Sequence, residues 1–123
     1  MDIKLIIDDY KFKARVSGIL IVNNKLLTTK YGVDKYCLPG GYVEIGETSS
    51  EAIKRELEEE LQVEINVDKF LGIAENFFVN FKKEKTHAIE FYYLGSFKNK
   101  IDRNLNDYEL IENDKNGIVK HSF

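Results

Sequence analysis

Short apolar runs and alternating runs fill the first part of the chain, a pattern typical of β-strands. Residues 3–7 are apolar, residues 12–16 alternate, and the polar segment between them predicts a turn. Residues 16–22 are rich in β-branched and aliphatic side chains, and the Asn23-Asn24 pair that follows is a strong hairpin signal. We therefore predict several antiparallel strands here, with residues 18–22 as a buried central strand.

The periodicity changes in residues 51–61, which are rich in strong helix formers. An apolar stripe on one face of the predicted helix contains Ile53, Leu57 and Leu61. Thr48 and Glu51 have the spacing of a capping box, so we expect the helix to begin beside them. Just upstream, a strand-like segment over residues 35–38 leads into a turn at Pro39, Gly40 and Gly41.

Further strands are predicted in the second half of the chain, over residues 63–67, 71–81, 86–97, 108–111 and 117–119. The charged residues 82–85 predict a hairpin loop, and residues 98–107 read as a polar loop. In residues 86–97, odd-numbered positions share one face and even-numbered positions share the other. Several strands, one strong helix and antiparallel hairpins indicate a single α+β domain spanning residues 1–123.

The predicted helix carries an unusual concentration of negative charge near its C-terminal end. Four of the five residues 56–60 are glutamates, and the helix dipole favours cations there. Glu56 and Glu60 are four residues apart, and like charges at that spacing cost ~0.2–0.5 kcal/mol. A hard divalent cation with oxygen ligands would offset this repulsion. The alternative is an ordinary exposed helix held by ion pairs between residues four apart, namely Glu51 with Arg55, Lys54 with Glu58 and Arg55 with Glu59.

The glycine turn and the acidic helix together form one spaced motif: Gly41-x5-Glu47-x7-Arg55-Glu56-Leu57-x-Glu59-Glu60-x-x-Val63. This motif resembles the signature of the Nudix hydrolases, enzymes that cleave a nucleoside diphosphate linked to another group. The resemblance implies a Nudix-like α/β/α sandwich with a mixed β-sheet. It also implies metal-dependent pyrophosphohydrolysis, in which water attacks phosphorus. The resemblance is close in the middle of the chain, whereas the rest of the chain resembles the family only in the order of its predicted strands.

By the same resemblance, Glu56, Glu59 and Glu60 hold the divalent metal, with help from the Gly41 carbonyl. The expected cofactor is Mg²⁺, with Mn²⁺ able to substitute. Mg²⁺ commonly binds through one or two carboxylates together with substrate phosphates.

The resemblance also implies catalytic and orienting roles. Glu56, Arg55 and Glu59 form the expected catalytic group, with Glu56 as our choice for the base that takes a proton from water. Arg55 is expected to pair with Glu47, which supports the loop. Gly40 shapes the tight turn.

Outside the motif, Glu90 is our candidate for an additional metal ligand, and Glu109 is a weaker alternative; the other interpretation of Glu90 is a solvent-facing strand residue. His87 is a candidate phosphate contact or a structural histidine. Several aromatics could stack on a base, although aromatics at strand spacing are more typical of a core: Phe77, Phe78, Phe81, Tyr92 and Tyr93.

The chain departs from the family pattern at two places. Gln62 stands where the family usually has glycine, and a side chain there costs roughly 1 kcal/mol if the helix exit is left-handed. No helical pattern follows Gln62, whereas the family closes its sandwich with a C-terminal helix. The helix is then absent by nature, removed by truncation, or replaced by a partner subunit.

The substrate is expected to be a small nucleotide, first a nucleoside triphosphate or a modified deoxynucleoside triphosphate. Pro39 is the only proline, so the chain lacks the proline after the signature that marks the ADP-ribose subgroup. A non-catalytic nucleotide-binding or regulatory module that keeps the fold is the alternative function.

Composition narrows the function classes further. The formal net charge of −3 over 123 residues argues against non-specific nucleic-acid binding, because such binding needs a basic surface. The single Cys37 cannot form an internal disulfide and is expected to be a buried, inert thiol. No signal peptide or long apolar run is visible, so we expect a cytoplasmic protein without membrane contact. A homodimer remains open.

Overall fold

The structure is a computed structural model that describes residues 1–31, 35–99, 109–114 and 117–122, with side chains for residues 1–30 and 36–99. Within these residues the elements are, in chain order, β1 (Lys4–Ile7), β2 (Tyr10–Val22), β3 (Lys25–Leu26), β4 (Thr28–Tyr31), β5 (Lys35–Cys37), β6 (Gly40–Tyr42), α1 (Ser49–Leu61), β7 (Ile65–Val79), β8 (Lys85–Phe97), β9 (Glu109–Asp114) and β10 (Gly117–Ser122).

The main sheet is mixed and is built around β2. Strands β2 and β8 are parallel, and β1 and β7 pair antiparallel on their outer sides in the order β1-β2-β8-β7. Strands β3 and β6 also pair antiparallel with β2. The predicted strand over residues 18–22 is therefore confirmed as the end of a much longer central strand, but its burial is only partial, since Ile21 is exposed.

A second, antiparallel sheet has the order β5-β4-β10-β9. The two late strands of the prediction fall in β9 and β10. Most of the predicted loop over residues 98–107, and part of the turn between β9 and β10, lies outside the described residues.

Helix α1 packs against one face of the main sheet and forms the core with it. Its predicted stripe is confirmed, because the buried helical residues are Ala52, Ile53, Leu57 and Leu61. They meet Val16 and Leu20 of β2, both fully buried. A Cβ at Gly18 would lie 2.9 Å from Leu57 Cδ1, so the absence of a side chain there lets the helix approach the sheet. The helix is neither long nor apolar enough to cross a bilayer.

Two tight hairpins connect the N-terminal strands. Asp8 and Asp9 have φ values of 49° and 69°, and Asn23 and Asn24 have φ values of 50° and 64°. Positive φ at both central residues is the requirement of a type I′ turn, whose twist matches that of the flanking strands. The Asn-Asn prediction is confirmed, and the earlier turn is shorter than the predicted segment 8–11.

Strand β7 differs from its prediction, because residues 65–79 form one strand where two were expected. The pairing with β8 shifts register between Val67 and Lys69 and again between Phe70 and Gly72. These irregularities let one strand continue through the segment that interrupts the alternation. The antiparallel pairing of β7 with β8 confirms the predicted hairpin. It also confirms that β8 is a strand, whose alternate residues lie on opposite faces.

Two burial expectations are wrong. Cys37 is exposed, because β5 lies at an edge of the second sheet. Phe77 is 65% exposed and Phe81 is 85% exposed, since β7 is an edge strand and Phe81 lies in the turn after it. These aromatics are therefore not part of the core.

The N-terminus of α1 has the predicted capping box. The Thr48 side chain accepts a hydrogen bond from Glu51 N, and the Glu51 side chain accepts one from Thr48 N at 3.1 Å. At the other end, Gln62 has φ 58° and ψ 34°, which is left-handed, and its N–H donates to the Glu58 carbonyl at 2.9 Å. The strain expected at the helix exit is thus present.

Replacing Gln62 with glycine is expected to raise the free energy of unfolding by about 1 kcal/mol, because glycine adopts this conformation without steric cost. Thermal unfolding followed by circular dichroism should show an increase in Tm of about 4 °C. Gln62→Ala is the control, since it keeps a Cβ and should give no gain. An equal gain in both variants would place the cost in the glutamine side chain and not in the backbone.

Candidate functional site

The two glycines of the turn meet different parts of the protein. Both lie in β6, where Gly40 pairs with Ser17 and Gly41 pairs with Val16 of β2. A Cβ on Gly40 would run into the backbone of Val16, at 2.9 Å from its carbonyl carbon. A Cβ on Gly41 would instead run into the carboxyl group of Glu56, at 2.6 Å from Oε1. The missing side chain of Gly41 therefore makes room for a carboxylate from α1.

Arg55 is the central cation of the acidic cluster. Its Nη2 and Nε donate to the two carboxylate oxygens of Glu47, at 2.6 Å and 3.1 Å. Its Nη1 donates to Glu56 at 2.9 Å and to Glu59 at 3.5 Å. Nη2 also donates to the Tyr42 carbonyl at 3.0 Å. One guanidinium thus ties the helix to both the loop and the glycine strand, and the predicted pairing of Arg55 with Glu47 is observed.

The ionisation of these groups reflects their surroundings. The hydrogen bond from Arg55 lowers the pKa of Glu47, and the same pairing raises the pKa of Arg55. Burial is the main cause that raises the pKa of Glu56, although Arg55 opposes it. Glu47 is therefore a stable anionic anchor, whereas Glu56 carries its charge in a less favourable place.

The exposed-helix interpretation holds for two of the three ion pairs it predicts, Lys54 with Glu58 and Arg55 with Glu59. Lys54 Nζ donates to Glu58 Oε2 at 2.8 Å, and that oxygen also accepts from Ile65 N at 3.0 Å. Arg55 departs from the pattern in part, because it also binds Glu47 and Glu56 beside the glycine turn. Glu51, its other predicted partner, is used in the helix cap. Glu58 therefore has a structural role in holding α1 to the start of β7. Arg55 and Glu56 instead belong to the charged cluster beside the glycine turn.

The residues present fit a hard divalent cation. Glu56, Glu59 and Glu60 and the Gly41 carbonyl offer only oxygen donors, which Mg²⁺ and Mn²⁺ prefer. The contact of Glu56 with Gly41 is a cradle that any side chain at position 41 would fill. In the part of the chain that the structure describes, no three His, Cys, Asp or Glu side chains are grouped closely enough to hold a metal. Arg55 lies among the acids, so binding an ion requires them to turn toward one another.

Glu90 lies elsewhere than the helical acids. It accepts a hydrogen bond from Ser17, and its Oε1 is 3.9 Å from Arg15 Nε. Glu90 pairs with Arg15, and Arg15 also pairs with Tyr42 on the other side of β2. Because neighbouring strand residues alternate, this group faces away from Val16 and α1. The role of Glu90 as a metal ligand stays a prediction, and the side chain of Glu109 is outside the described residues.

His87 lies between two aromatic rings. Its ring centroid is 5.4 Å from that of Phe12 and 4.3 Å from that of Phe77, and its Nε2 is 3.7 Å from Glu75 Oε2. These contacts favour the structural interpretation of this histidine. Tyr93 is also structural, since its hydroxyl is hydrogen-bonded to Ser49 Oγ at 2.7 Å at the start of α1.

Sequence analysis missed a group of cations beside the site. Lys11, Lys13 and Arg15 alternate along β2 and so share one face of the sheet. The signal was visible as the segment Lys-Phe-Lys-Ala-Arg, in which every second residue is basic. Basic residues at every second position of a strand lie on the same face of the sheet. The segment alone does not predict which residues of other strands lie opposite them.

Comparison with known proteins agrees with this geometry. Residues 11–115 match the profile of the NUDIX domain, and the chain therefore belongs to the NUDIX family. Over 62 residues it is 40% identical to the ADP-ribose pyrophosphatase of Methanocaldococcus jannaschii. The matched segment covers 47% of this chain and 37% of that relative.

Solved structures show the same fold. A NUDIX hydrolase from Nitrosomonas europaea superposes with a TM-score of 0.61 at 22% identity, over 86% of this chain and 67% of the other. A UDP-X diphosphatase superposes with a TM-score of 0.59 at 21% identity, over 75% of this chain and 45% of the other. The chain spans less than half the length of the archaeal relative and of the diphosphatase. The α+β fold with a mixed sheet is thus confirmed.

Proposed function

We propose that this protein is a metal-dependent hydrolase of a nucleoside diphosphate linked to a second group, with water attacking phosphorus. The observation that carries the proposal is the contact of the Glu56 carboxyl group with Gly41. A carboxylate held against bare backbone, within a cluster of acids that share one arginine, is a costly arrangement for stability alone. It is useful if the cluster binds a cation and phosphate oxygens.

Mg²⁺, or Mn²⁺ in its place, would be held by Glu56, Glu59 and Glu60 with the Gly41 carbonyl, and Glu90 is kept as a candidate further ligand. When bound, such an ion neutralises charge on the diphosphate and lowers the pKa of a coordinated water. The protein groups around it then need only to position the reactants and stabilise charge.

The chain's own residues divide the remaining work. Glu56 is our candidate to accept the proton of the attacking water. Arg55 fixes the carboxylates of Glu56 and Glu59 relative to the turn, and Glu47 fixes Arg55 through two hydrogen bonds. Gly40 allows β6 to pair closely with β2.

A direct test is release of inorganic phosphate or pyrophosphate from a panel of nucleotides, including nucleoside triphosphates, modified deoxynucleoside triphosphates, ADP-ribose and UDP-sugars. We expect hydrolysis of at least one compound with Mg²⁺, loss of hydrolysis with excess chelator, and recovery when Mg²⁺ or Mn²⁺ is added back. If no compound is hydrolysed but nucleotides raise the Tm, the protein is a non-catalytic nucleotide-binding module. A cytoplasmic location and a homodimer stay predictions from the sequence.

A further inference from the structure

Helix α1 covers only one end of the sheet face on which it packs. Residues two apart on a strand share a face, so Ala14, Phe12 and Tyr10 continue the row that begins with Val16 beneath the helix. Val16 is fully buried and Ala14 nearly so, whereas Tyr10 at the start of β2 is 43% exposed. The end of this face where β1 turns into β2 and β7 turns into β8 therefore lies beyond the helix.

An apolar row crosses all four strands at this end of the sheet. Leu5 of β1 pairs with Phe12 of β2, which pairs in turn with His87 of β8. His87 pairs with Phe77 of β7. The ring contacts of His87 with Phe12 and with Phe77 show that these side chains lie on the same face. The row is therefore a continuous surface and not a set of isolated residues.

The apolar area that α1 leaves uncovered is large. Five large apolar residues there are between 43% and 65% exposed: Leu5, Ile7, Tyr10, Ile73 and Phe77. We refer to these residues as the hairpin patch. With about half of ~200 Å² exposed by each side chain, the patch presents roughly 500 Å² of apolar surface. That area is close to the apolar share of the ~800 Å² that each partner contributes to a standard protein interface.

The charges beside the hairpin patch limit the kind of partner. Lys85 pairs with Tyr10, and Glu75 pairs with Ile89 in the adjacent part of the same face. The two charges have opposite signs, so the patch has no basic excess to attract nucleic acid or an anionic membrane. A fitting partner is apolar, broad and nearly neutral. A second copy of the same patch meets these conditions, because a twofold axis brings identical surfaces together.

We propose that the hairpin patch is the interface between two copies of this chain, whose main sheets pack face to face in a twofold dimer. Packed sheets lie ~10 Å apart, and a helix with its side chains is about as thick. Since α1 lies over the other end of the same face, the two copies overlap only through their hairpin ends. The acidic cluster of each copy lies with α1, outside the interface, so the dimer does not rest on the proposed hydrolysis.

The association is tested by sedimentation velocity and light scattering of the full chain from about 1 µM to about 300 µM, where interfaces of moderate affinity dissociate. The mass should rise toward twice the 14.3 kDa of one chain. Phe77→Asp and Ile7→Asp should each raise the dissociation constant about 30-fold, the effect of disrupting a central interface residue. Both side chains are more than half exposed, so each variant should fold, as checked by circular dichroism.

Phe81→Asp is the matched control, because it makes the same change in charge and size on the other face. Phe81 is 85% exposed and lines a cleft there with Lys13 and Arg15. Its dissociation constant should equal that of the wild type. Hydrogen–deuterium exchange locates the contact: amides of residues 3–10 and 73–79 should exchange more slowly above the dissociation constant than below it, whereas those of α1 should not change.

Several results would overturn the assignment. A wild type that is monomeric at every concentration rules out the dimer, and binding of that monomer to phosphatidylcholine vesicles would give the patch to lipid instead. A dimer that Phe77→Asp and Ile7→Asp leave intact, or that Phe81→Asp weakens equally, uses another surface. Slower exchange confined to residues outside 3–10 and 73–79 leads to the same conclusion.

Discussion

Glu56→Gln is expected to lower kcat/KM for the hydrolysed nucleotide by about 10³-fold while the protein stays folded. Glutamine keeps the shape of the side chain but neither accepts a proton from water nor contributes a negative charge toward a cation. Folding should tolerate the change, because a neutral amide is less costly to bury than the carboxylate whose pKa burial already raises. Arg55 keeps its two hydrogen bonds to Glu47.

The measurements are steady-state kinetics with Mg²⁺ and Tm with and without the ion. Glu58→Gln is the matched control, because it removes the same charge from the same helix two residues away. Glu58 pairs with Lys54 and Ile65 N, so its variant should lose about 0.5 kcal/mol of stability and keep wild-type activity. Glu56→Gln with activity within threefold of the wild type would remove Glu56 from the catalytic group.

The second large effect is expected from alanine substitutions at the two adjacent glycines, which should have different consequences. Gly41→Ala should leave the fold intact and lower kcat/KM by about 10²-fold, since displacing a catalytic group by an ångström has an effect of this size. The new Cβ meets the carboxyl group of Glu56, which is the end of a flexible side chain and can rotate away. The cost therefore falls on the position of the carboxylate and not on the backbone.

Gly40→Ala should behave in the opposite way. Its Cβ meets the carbonyl of Val16, which is part of the sheet and cannot rotate. We expect a loss of about 3 kcal/mol in the free energy of unfolding and a fall in Tm of roughly 10 °C. Differential scanning calorimetry and kinetics on both variants test the pair. Similar Tm losses in the two variants, or full activity in Gly41→Ala, would show that the glycines do not have separate roles.

Local patterns in the sequence were sufficient for most of the elements. The 3.6-residue period placed Ile53, Leu57 and Leu61 in the core, because a helix that buries one face must repeat its apolar residues at that spacing. The Asn23-Asn24 turn and the Thr48-Glu51 capping box follow from contacts within a few residues. The expectation of a buried Cys37 was wrong, because burial depends on which strand is an edge, and pairing order is a long-range property.

The candidate site stays a prediction, and only the part formed by neighbours along the chain could be foreseen from the sequence. The motif from Gly41 to Glu60 identified the acids and Arg55, since the turn and the helix are adjacent in the chain. Arg15, Tyr42 and Glu90 are far apart in sequence, and only the pairing of β6 and β8 with β2 brings them together. The hydrophobic periodicity of a single segment cannot predict that these three residues lie together.

The amino-acid sequence by itself determined the helix, its caps, the hairpin turns and the identity of the acidic cluster, because these depend on neighbours along the chain. Only the tertiary structure shows what each glycine contacts. The lack of a side chain at Gly41 lets the Glu56 carboxyl group approach, and the lack of one at Gly40 lets β6 pair with β2. The tertiary structure also decided that the basic residues of β2 face an aromatic ring next to that cluster. The physical reason is that close approach and concentrated charge are properties of strands brought side by side, which the order of residues in each strand does not specify.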